Sequence, residues 1–199
     1  MHELLDWVYS IAIALALAMI IHIFVFVPTR VSGESMYPTL NNGQYLIVSK
    51  IGHVFHKDVN YGDIVIIDSR VDRPRTWADD VEEPLDNYLS IFSSSAQQHN
   101  VWVKRVIGKG GDVLAFHDGH VYRNGKALNE PYINEPMEFS MDGTFTVPKG
   151  YVFVMGDNRN HSSDSRFIGP VPVSHVLGTV AFKLYELETL GKSAKILRD

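Results

Sequence analysis

Ser35 is a candidate nucleophile, because it lies among small and turn-forming residues in the run Ser-Gly-Glu-Ser-Met-Tyr-Pro-Thr-Leu at positions 32–40. A long apolar segment precedes this run. That neighbourhood predicts a serine that works at a membrane surface. An alcohol is a weak nucleophile at neutral pH, so the chemistry needs a base close to the hydroxyl.

The sequence lacks the motifs of several common ways to activate a nucleophile for hydrolysis. The pattern G-x-S-x-G fails because Tyr37 replaces its second glycine, and no histidine lies in a persuasive motif for a Ser-His-Asp triad. The pattern S-x-x-K does not occur, nor does the metal-binding pattern H-E-x-x-H. The lack of cysteine excludes disulfides, cysteine-based zinc sites and cysteine nucleophiles.

Lys104 is the remaining candidate base. It lies inside an apolar run at 101–107 that predicts a strand, where alternation places it on one face with Trp102 and Val106. Lysine is rarely placed in such a run without a partner or a role. Burial would lower its pKa and so increase the neutral, basic fraction. An edge-strand lysine that extends to solvent would explain the same pattern.

A dense polar loop near the C-terminus is the other candidate for chemistry. Residues 156–166 read Gly-Asp-Asn-Arg-Asn-His-Ser-Ser-Asp-Ser-Arg and follow an apolar strand. Polar loops on a scaffold often carry function, although an ordinary turn has a similar composition. The Asp and Arg residues could also join Arg105 in a rigid ion-pair network.

The elements that must position these residues are mostly strands. Short apolar runs separated by Gly- and Pro-containing turns predict a mostly β domain over residues 28–190, as a sandwich or barrel. The predicted strands are 45–48, 63–68, 101–107, 113–116, 120–123, 151–155 and 176–184, with a hairpin turn at Asp118-Gly119. Residues 71–100 are predicted to form a long acidic and Ser-rich loop, with a short helix near 85–92, and 191–199 a polar tail.

The N-terminal segment predicts a membrane anchor. After a short start at 1–6, residues 7–27 contain no Lys, Arg, Asp or Glu. As a helix they would span about 31 Å, close to the ~30 Å hydrocarbon core of a bilayer. We therefore predict a transmembrane helix at 7–27 that ends before Pro28. The apolar run is too long, and its start too free of basic residues, for a typical cleavable signal peptide.

Charge limits the partners and gives a weak orientation signal. The net charge of -5 provides no basic surface and argues against nucleic acid as a partner. Arg30 and Lys50 follow the apolar segment, whereas no Lys or Arg precedes it. Taken literally, the positive-inside rule weakly favours a cytoplasmic C-terminal domain.

Four ordered blocks behind the apolar segment resemble the bacterial type I signal peptidases, the membrane-anchored Ser-Lys proteases that remove signal peptides. The blocks are the run at 32–40, Tyr-Gly-Asp-Ile-Val at 61–65, Val-Lys-Arg-Val-Ile-Gly at 103–108 ahead of Gly-Asp at 111–112, and the polar loop at 156–166. The resemblance covers most of the chain, and four blocks in order are highly specific.

This resemblance implies roles for individual residues. Ser35 would be the nucleophile and the backbone oxyanion donor, Lys104 the general base, and Ser162 the hydroxyl that orients the lysine amine. Supporting ion-pair and hydrogen-bonding residues would be Arg105, Asp157, Asp164 and Arg166. Pockets for small substrate residues at -1 and -3 would be lined by Val31, Met36, Leu40 and Val103. Neither a metal nor a cofactor is required.

The resemblance also implies a location and a substrate. It implies a single-pass protein of the bacterial cell membrane that cleaves signal peptides of exported preproteins through an acyl-enzyme. Its catalytic domain would lie on the extracytoplasmic face, which overrules the charge-based orientation. Gly33 resembles the Gram-positive branch, because some other members carry a second, hydroxyl oxyanion donor at that position.

Two other interpretations remain. A self-cleaving repressor-type Ser-Lys protease would share the chemistry, but it would need a DNA-binding domain where this chain has its apolar segment. A catalytically inactive, membrane-tethered β domain that binds signal peptides would belong to a different class, and the sequence does not exclude it.

Overall fold

Eleven strands in two antiparallel sheets form the described part of the protein. A computed structural model describes residues 6–15, 25–54, 58–76, 79 and 100–184. The strands are β1 (Phe26–Arg30), β2 (Tyr45–Ser49), β3 (Ile64–Asp68), β4 (Val101–Lys109), β5 (Val113–His117), β6 (His120–Arg123), β7 (Lys126–Ala127), β8 (Met141–Thr146), β9 (Tyr151–Met155), β10 (Val171–Pro172) and β11 (Val176–Leu184). The helices are α1 (6–15), α2 (Ile51–Val54) and α3 (Ser165–Ile168), with 3-10 turns at Arg159–His161 and Val173–His175.

The larger sheet has the order β1-β2-β11-β3-β4-β9-β10, and the smaller sheet has the order β7-β6-β5-β8. This confirms the predicted mostly β domain. Each of the seven predicted strands is present, with bounds that differ by two residues at most. The hairpin between β5 and β6 is also confirmed: Asp118 and Gly119 have φ of 53° and 76°, as a type I′ turn requires.

The predicted end of the N-terminal helix is wrong. Phe26 and Val27 belong to β1, where Val27 pairs with Val48 of β2. Pro28 continues the strand, which is possible because β1 is an edge strand and needs its N–H groups on one side only. Within the described ranges, none of the helices has both the length and the apolar character that a membrane crossing requires.

Two other predicted segments lie largely or wholly outside the described residues. The polar tail at 191–199 is one, and most of the loop at 71–100, with its predicted helix at 85–92, is the other. The described start of that loop is tied to the sheet. Arg75 contacts the fully buried Asp68 at 2.8 Å, and Arg73 contacts Asp79 at 2.8 Å.

Among the residues that the structure describes, three apolar clusters pack against the two sheets. One packs under the centre of the larger sheet around Val65, Val106 and Val154. A second fills the space between β4 and β9 of the larger sheet and the smaller sheet, around Phe116 and Phe153. The third joins the connection between β1 and β2 to the larger sheet, and contains Val31, Met36, Leu40, Leu46, Val48 and Ile66.

Candidate active site

The connection from β1 to β2, residues 31–44, carries Ser35 and is here named the Ser35 loop. Its two ends are closed by backbone hydrogen bonds from Val31 N to Gln44 O and from Gly43 N to Val31 O, both 2.8 Å. Gly33 has φ of +93°, a left-handed conformation that favours glycine. The turn leaves Ser35 half-buried and its hydroxyl directed at β4.

Lys104 meets this hydroxyl from the middle of β4. The distance between Lys104 Nζ and Ser35 Oγ is 2.8 Å. Lys104 is 4% exposed, lies opposite Val65 of β3, and its amine is 5.5 Å from the centre of the Trp102 ring. The predicted shared face with Trp102 is therefore present. The edge-strand interpretation is wrong, because β4 lies between β3 and β9.

The environment of Lys104 favours its neutral form. Burial lowers its pKa from 10.5 to about 8, because removing the ammonium from water disfavours the charge. The attraction of Asp164 opposes this effect, as does the weaker attraction of Asp157. The positive charge of Arg166 acts in the same direction as burial. The amine can therefore accept a proton near neutral pH.

The polar loop at 156–166, which runs from the end of β9 into α3, is organised by the fully buried carboxylate of Asp164. It accepts hydrogen bonds from the backbone N–H of Gly156 at 2.9 Å, from the hydroxyl of Ser162 at 2.8 Å and from the guanidinium of Arg166 at 2.8 Å. Asp164 is also the N-cap of α3. One carboxylate thus connects the end of β9, the loop and the following helix.

Two buried ion pairs brace the same region. Arg105 forms a two-pronged pair with Asp157, at 2.8 and 2.6 Å, and its guanidinium lies 3.9 Å from the centre of the Tyr132 ring. Arg159 forms a second two-pronged pair with Glu130, at 3.0 and 2.6 Å. The predicted ion-pair network is therefore present, and the Glu130 pair, which the sequence did not suggest, extends it.

The described hydrogen bonds include none between the hydroxyl of Ser162 and the amine of Lys104. Its hydroxyl donates to Asp164 instead. It still lies beside the nucleophile, because a methyl group added to Gly156 would collide with both Ser162 Oγ and the carbonyl oxygen of Ser35. The close approach of the two loops therefore depends on the absence of a side chain at Gly156.

The residues predicted to line the substrate pockets come together in the third apolar cluster. Val31, Met36 and Leu40 are at most 4% exposed there, and Val103 packs against them half-buried. Val31, Met36 and Leu40 belong to the Ser35 loop itself, and Val103 precedes Lys104 on β4. Sequence reasoning missed Asn158, which is 5% exposed and hydrogen-bonded to the backbone on both sides of Ser35. The only signal for Asn158 in the sequence was its position in the polar loop at 156–166, one of the four blocks that carry the family resemblance.

Comparisons with known proteins found a matching family and several similar proteins. The family described as signal peptidase, peptidase S26, matches residues 4–185. Signal peptidase I T of Bacillus subtilis (strain 168) is 35% identical over 191 residues, which cover 91% of this chain and 85% of that protein. Thylakoidal processing peptidase 1, chloroplastic, of Arabidopsis thaliana is 35% identical over 158 residues, which are 79% of this chain and 42% of that longer protein. A solved signal peptidase I from Enterococcus faecalis V583 is 26% identical with a TM-score of 0.41, over 63% of this chain and 98% of that one.

The family match identifies this β domain, with its serine beside a buried lysine, as a hydrolase. The chain belongs to the signal peptidase family, peptidase S26, a family of serine proteases. The predicted resemblance is thereby confirmed.

Proposed function

We propose that this protein removes signal peptides from exported preproteins, with Ser35 as nucleophile and Lys104 as general base. The observation that carries the proposal is the 2.8 Å contact between Lys104 Nζ and Ser35 Oγ, at a site where burial lowers the pKa of the lysine to about 8. A base whose pKa is near the working pH is both present in its neutral form and strong enough to take a proton.

In the first half of the reaction, neutral Lys104 takes the proton of Ser35 while Oγ attacks the scissile carbonyl. The tetrahedral intermediate places its negative oxygen near the backbone N–H of Ser35, which donates to no acceptor among the described residues. An unpaired donor at that position supports a role in the oxyanion hole. The lysinium then protonates the leaving amine, and the peptide bond breaks to give an acyl-enzyme.

In the second half, neutral Lys104 takes a proton from water, which attacks the ester. The tetrahedral intermediate then collapses: the lysinium of Lys104 returns the proton to Ser35 Oγ, and the signal peptide leaves with a new C-terminal carboxylate. Asp157, Asp164, Arg105 and Arg166 support both steps by fixing β4 and the polar loop around the amine. In this scheme Ser162 acts by holding the carboxylate of Asp164 in place.

Cleavage after small residues at -1 and -3 is part of the proposal. The cluster of Val31, Met36, Leu40 and Val103 presents an apolar, closely packed floor beside the nucleophile. Such a floor accommodates Ala better than a large side chain, because extra atoms must displace well-packed neighbours.

We further propose that the apolar residues before β1 anchor the domain as a single pass at the outer face of the bacterial cell membrane. The described part of that segment supports this, because Trp7, Ile11 and Leu15 of α1 are all more than half exposed to the surroundings. Protease added to spheroplasts should digest the β domain; complete protection would place it on the cytoplasmic side.

The deciding experiment is cleavage of a purified preprotein in detergent. Ser35→Ala and Lys104→Met should each abolish processing, because one removes the attacking oxygen and the other the base. Ser163→Ala and Lys109→Met are matched controls: the first removes an exposed hydroxyl from the polar loop, the second a partly exposed lysine from the same strand. Both controls should process the preprotein at the wild-type rate.

The same experiment separates the alternatives. Processing by Ser35→Ala at the wild-type rate would refute the dyad. A wild-type protein that binds the preprotein without cutting it would be the inactive β domain. Cleavage of this chain itself, rather than of the preprotein, would favour the repressor-type activity.

A further inference from the structure

Asn158 is bonded to both peptide units that flank the nucleophile. Its side-chain Nδ2 donates to the carbonyl oxygen of Glu34 at 3.2 Å, and its backbone N–H donates to the carbonyl oxygen of Ser35 at 3.0 Å. Asn158 is 5% exposed and belongs to the polar loop, 124 residues further along the chain than Glu34. The two loops are thus joined at the reacting residue.

The first of these hydrogen bonds has a specific geometric effect. The carbonyl of Glu34 and the N–H of Ser35 are the two ends of one planar peptide unit. A donor that holds the carbonyl therefore also sets the direction of the N–H. It polarises the unit as well, which makes the N–H a stronger hydrogen-bond donor. The carbonyl of Glu34 also accepts from Tyr37 N at 3.0 Å, within the Ser35 loop itself.

The orientation of the Asn158 amide follows from its partners. Nδ2 must face the Glu34 carbonyl, because Oδ1 in that place would set two acceptors against each other. Oδ1 is then buried without a hydrogen-bond partner among the described residues. A buried, unpaired polar atom opposes folding. The residue therefore gives up stability for the placement of its amide, as functional positions often do.

We propose that Asn158 is a positioning residue for the oxyanion hole, holding the Glu34–Ser35 peptide unit so that the Ser35 N–H points at the developing oxyanion. The inference rests on the proposed Ser35 chemistry and adds a second loop to it. It also provides this chain with a way to strengthen its backbone donor when Gly33 supplies no side-chain donor.

The test compares ground-state with transition-state binding in full-length protein. In Asn158→Ala, kcat should fall by about tenfold to a hundredfold, because a misdirected oxyanion donor loses part of its effect. The KM for a signal-peptide substrate should stay within about threefold of wild type. The inhibition constant of a peptide trifluoromethyl ketone, whose serine adduct carries an oxyanion, should rise by the same factor as kcat falls. KM and the inhibition constant do not depend on the fraction of protein that is folded.

Asn160→Ala is the matched control. The side chain of Asn160 accepts a hydrogen bond from Glu138 N and donates to Glu135 and to the carbonyl oxygen of Pro136, so none of these bonds involves the Ser35 loop. The Asn160→Ala variant should keep the wild-type kcat and the wild-type inhibition constant. Asn158→Asp is the second variant, with nearly the same shape; its ionised carboxylate cannot donate to the Glu34 carbonyl, so its loss should at least match that of the alanine variant.

Three results would overturn the inference. They are wild-type kcat in both Asn158 variants, an inhibition constant that does not change while kcat falls, and an equal loss of kcat in Asn160→Ala. Failure of the proposed function is a separate result, because it appears as activity in Ser35→Ala or as a wild-type protein that does not cut the preprotein. If Ser35→Ala is inactive and Asn158→Ala is fully active, only the positioning role is refuted.

Discussion

Lys104→Met should stabilise the protein at neutral pH while it abolishes catalysis. The folded protein lowers the pKa of Lys104 from 10.5 to about 8. The unfolded chain therefore binds this proton more tightly, and the resulting penalty on folding grows as pH falls from 10.5 to about 8 and is fully present below the folded pKa. Methionine has a similar length and no charge, so it removes this penalty from a site that is 4% exposed.

The magnitude follows from the two pKa values. Each tenfold difference in proton affinity is worth about 1.36 kcal/mol, so the lysine destabilises the fold by about 3 kcal/mol at pH 7. As pH rises through the folded pKa toward 10.5, the same relation reduces the penalty to roughly 2 kcal/mol at pH 9 and to less than about 0.5 kcal/mol at pH 10.5. The variant also loses the hydrogen bond to Ser35, which reduces the expected stabilisation by Lys104→Met by about 1 kcal/mol.

The assay is urea unfolding of both proteins in one detergent at pH 7, 9 and 10.5. The free energy of unfolding of Lys104→Met minus that of wild type should be positive at pH 7 and should fall by about 3 kcal/mol across the range. Lys109→Met controls for the removal of a positive charge from β4. A difference that stays constant from pH 7 to 10.5 would show that folding does not change the proton affinity of Lys104, and would refute the burial argument.

Two further predictions concern activity. Wild-type kcat/KM should rise with pH through a midpoint near 8, as Lys104 loses its proton. Arg166→Met should raise that midpoint, because the charge of Arg166 helps to lower the pKa of Lys104. A pH-rate profile of the variant with an unchanged midpoint would contradict this electrostatic effect. Gly156→Ala should lower kcat/KM by more than about tenfold, because the new methyl group must push Ser162 and the Ser35 loop apart. Gly52→Ala, where a methyl group meets nothing within 4 Å, is its control in the same preprotein assay and should be neutral.

Local patterns predicted the parts of the site that depend on a single strand. Alternation placed Lys104 with Trp102, and the structure has both on one face of β4. The turn at Asp118-Gly119 was equally predictable, because its backbone requires residues that tolerate positive φ.

Other parts depend on partners far along the chain. Phe26 and Val27 continue an apolar run and resemble the end of a helix, but pairing with β2 makes them a strand. β8 (Met141–Thr146) was not predicted because its sequence, Met-Asp-Gly-Thr-Phe-Thr, has little apolar character, and β5 supplies its pairing. The bond from Asn158 to Glu34 spans 124 residues, and no local pattern indicates it.

The position of β11 determines when the enzyme can exist during its own synthesis. This last strand lies between β2 and β3, so it connects the strands that border the Ser35 loop to those that carry Lys104. A ribosome must therefore complete the chain through Leu184 before the larger sheet can close. Until then the strands next to the nucleophile, β1 and β2, share no strand-to-strand hydrogen bonds with the strands around its neighbour Lys104, β3, β4 and β9.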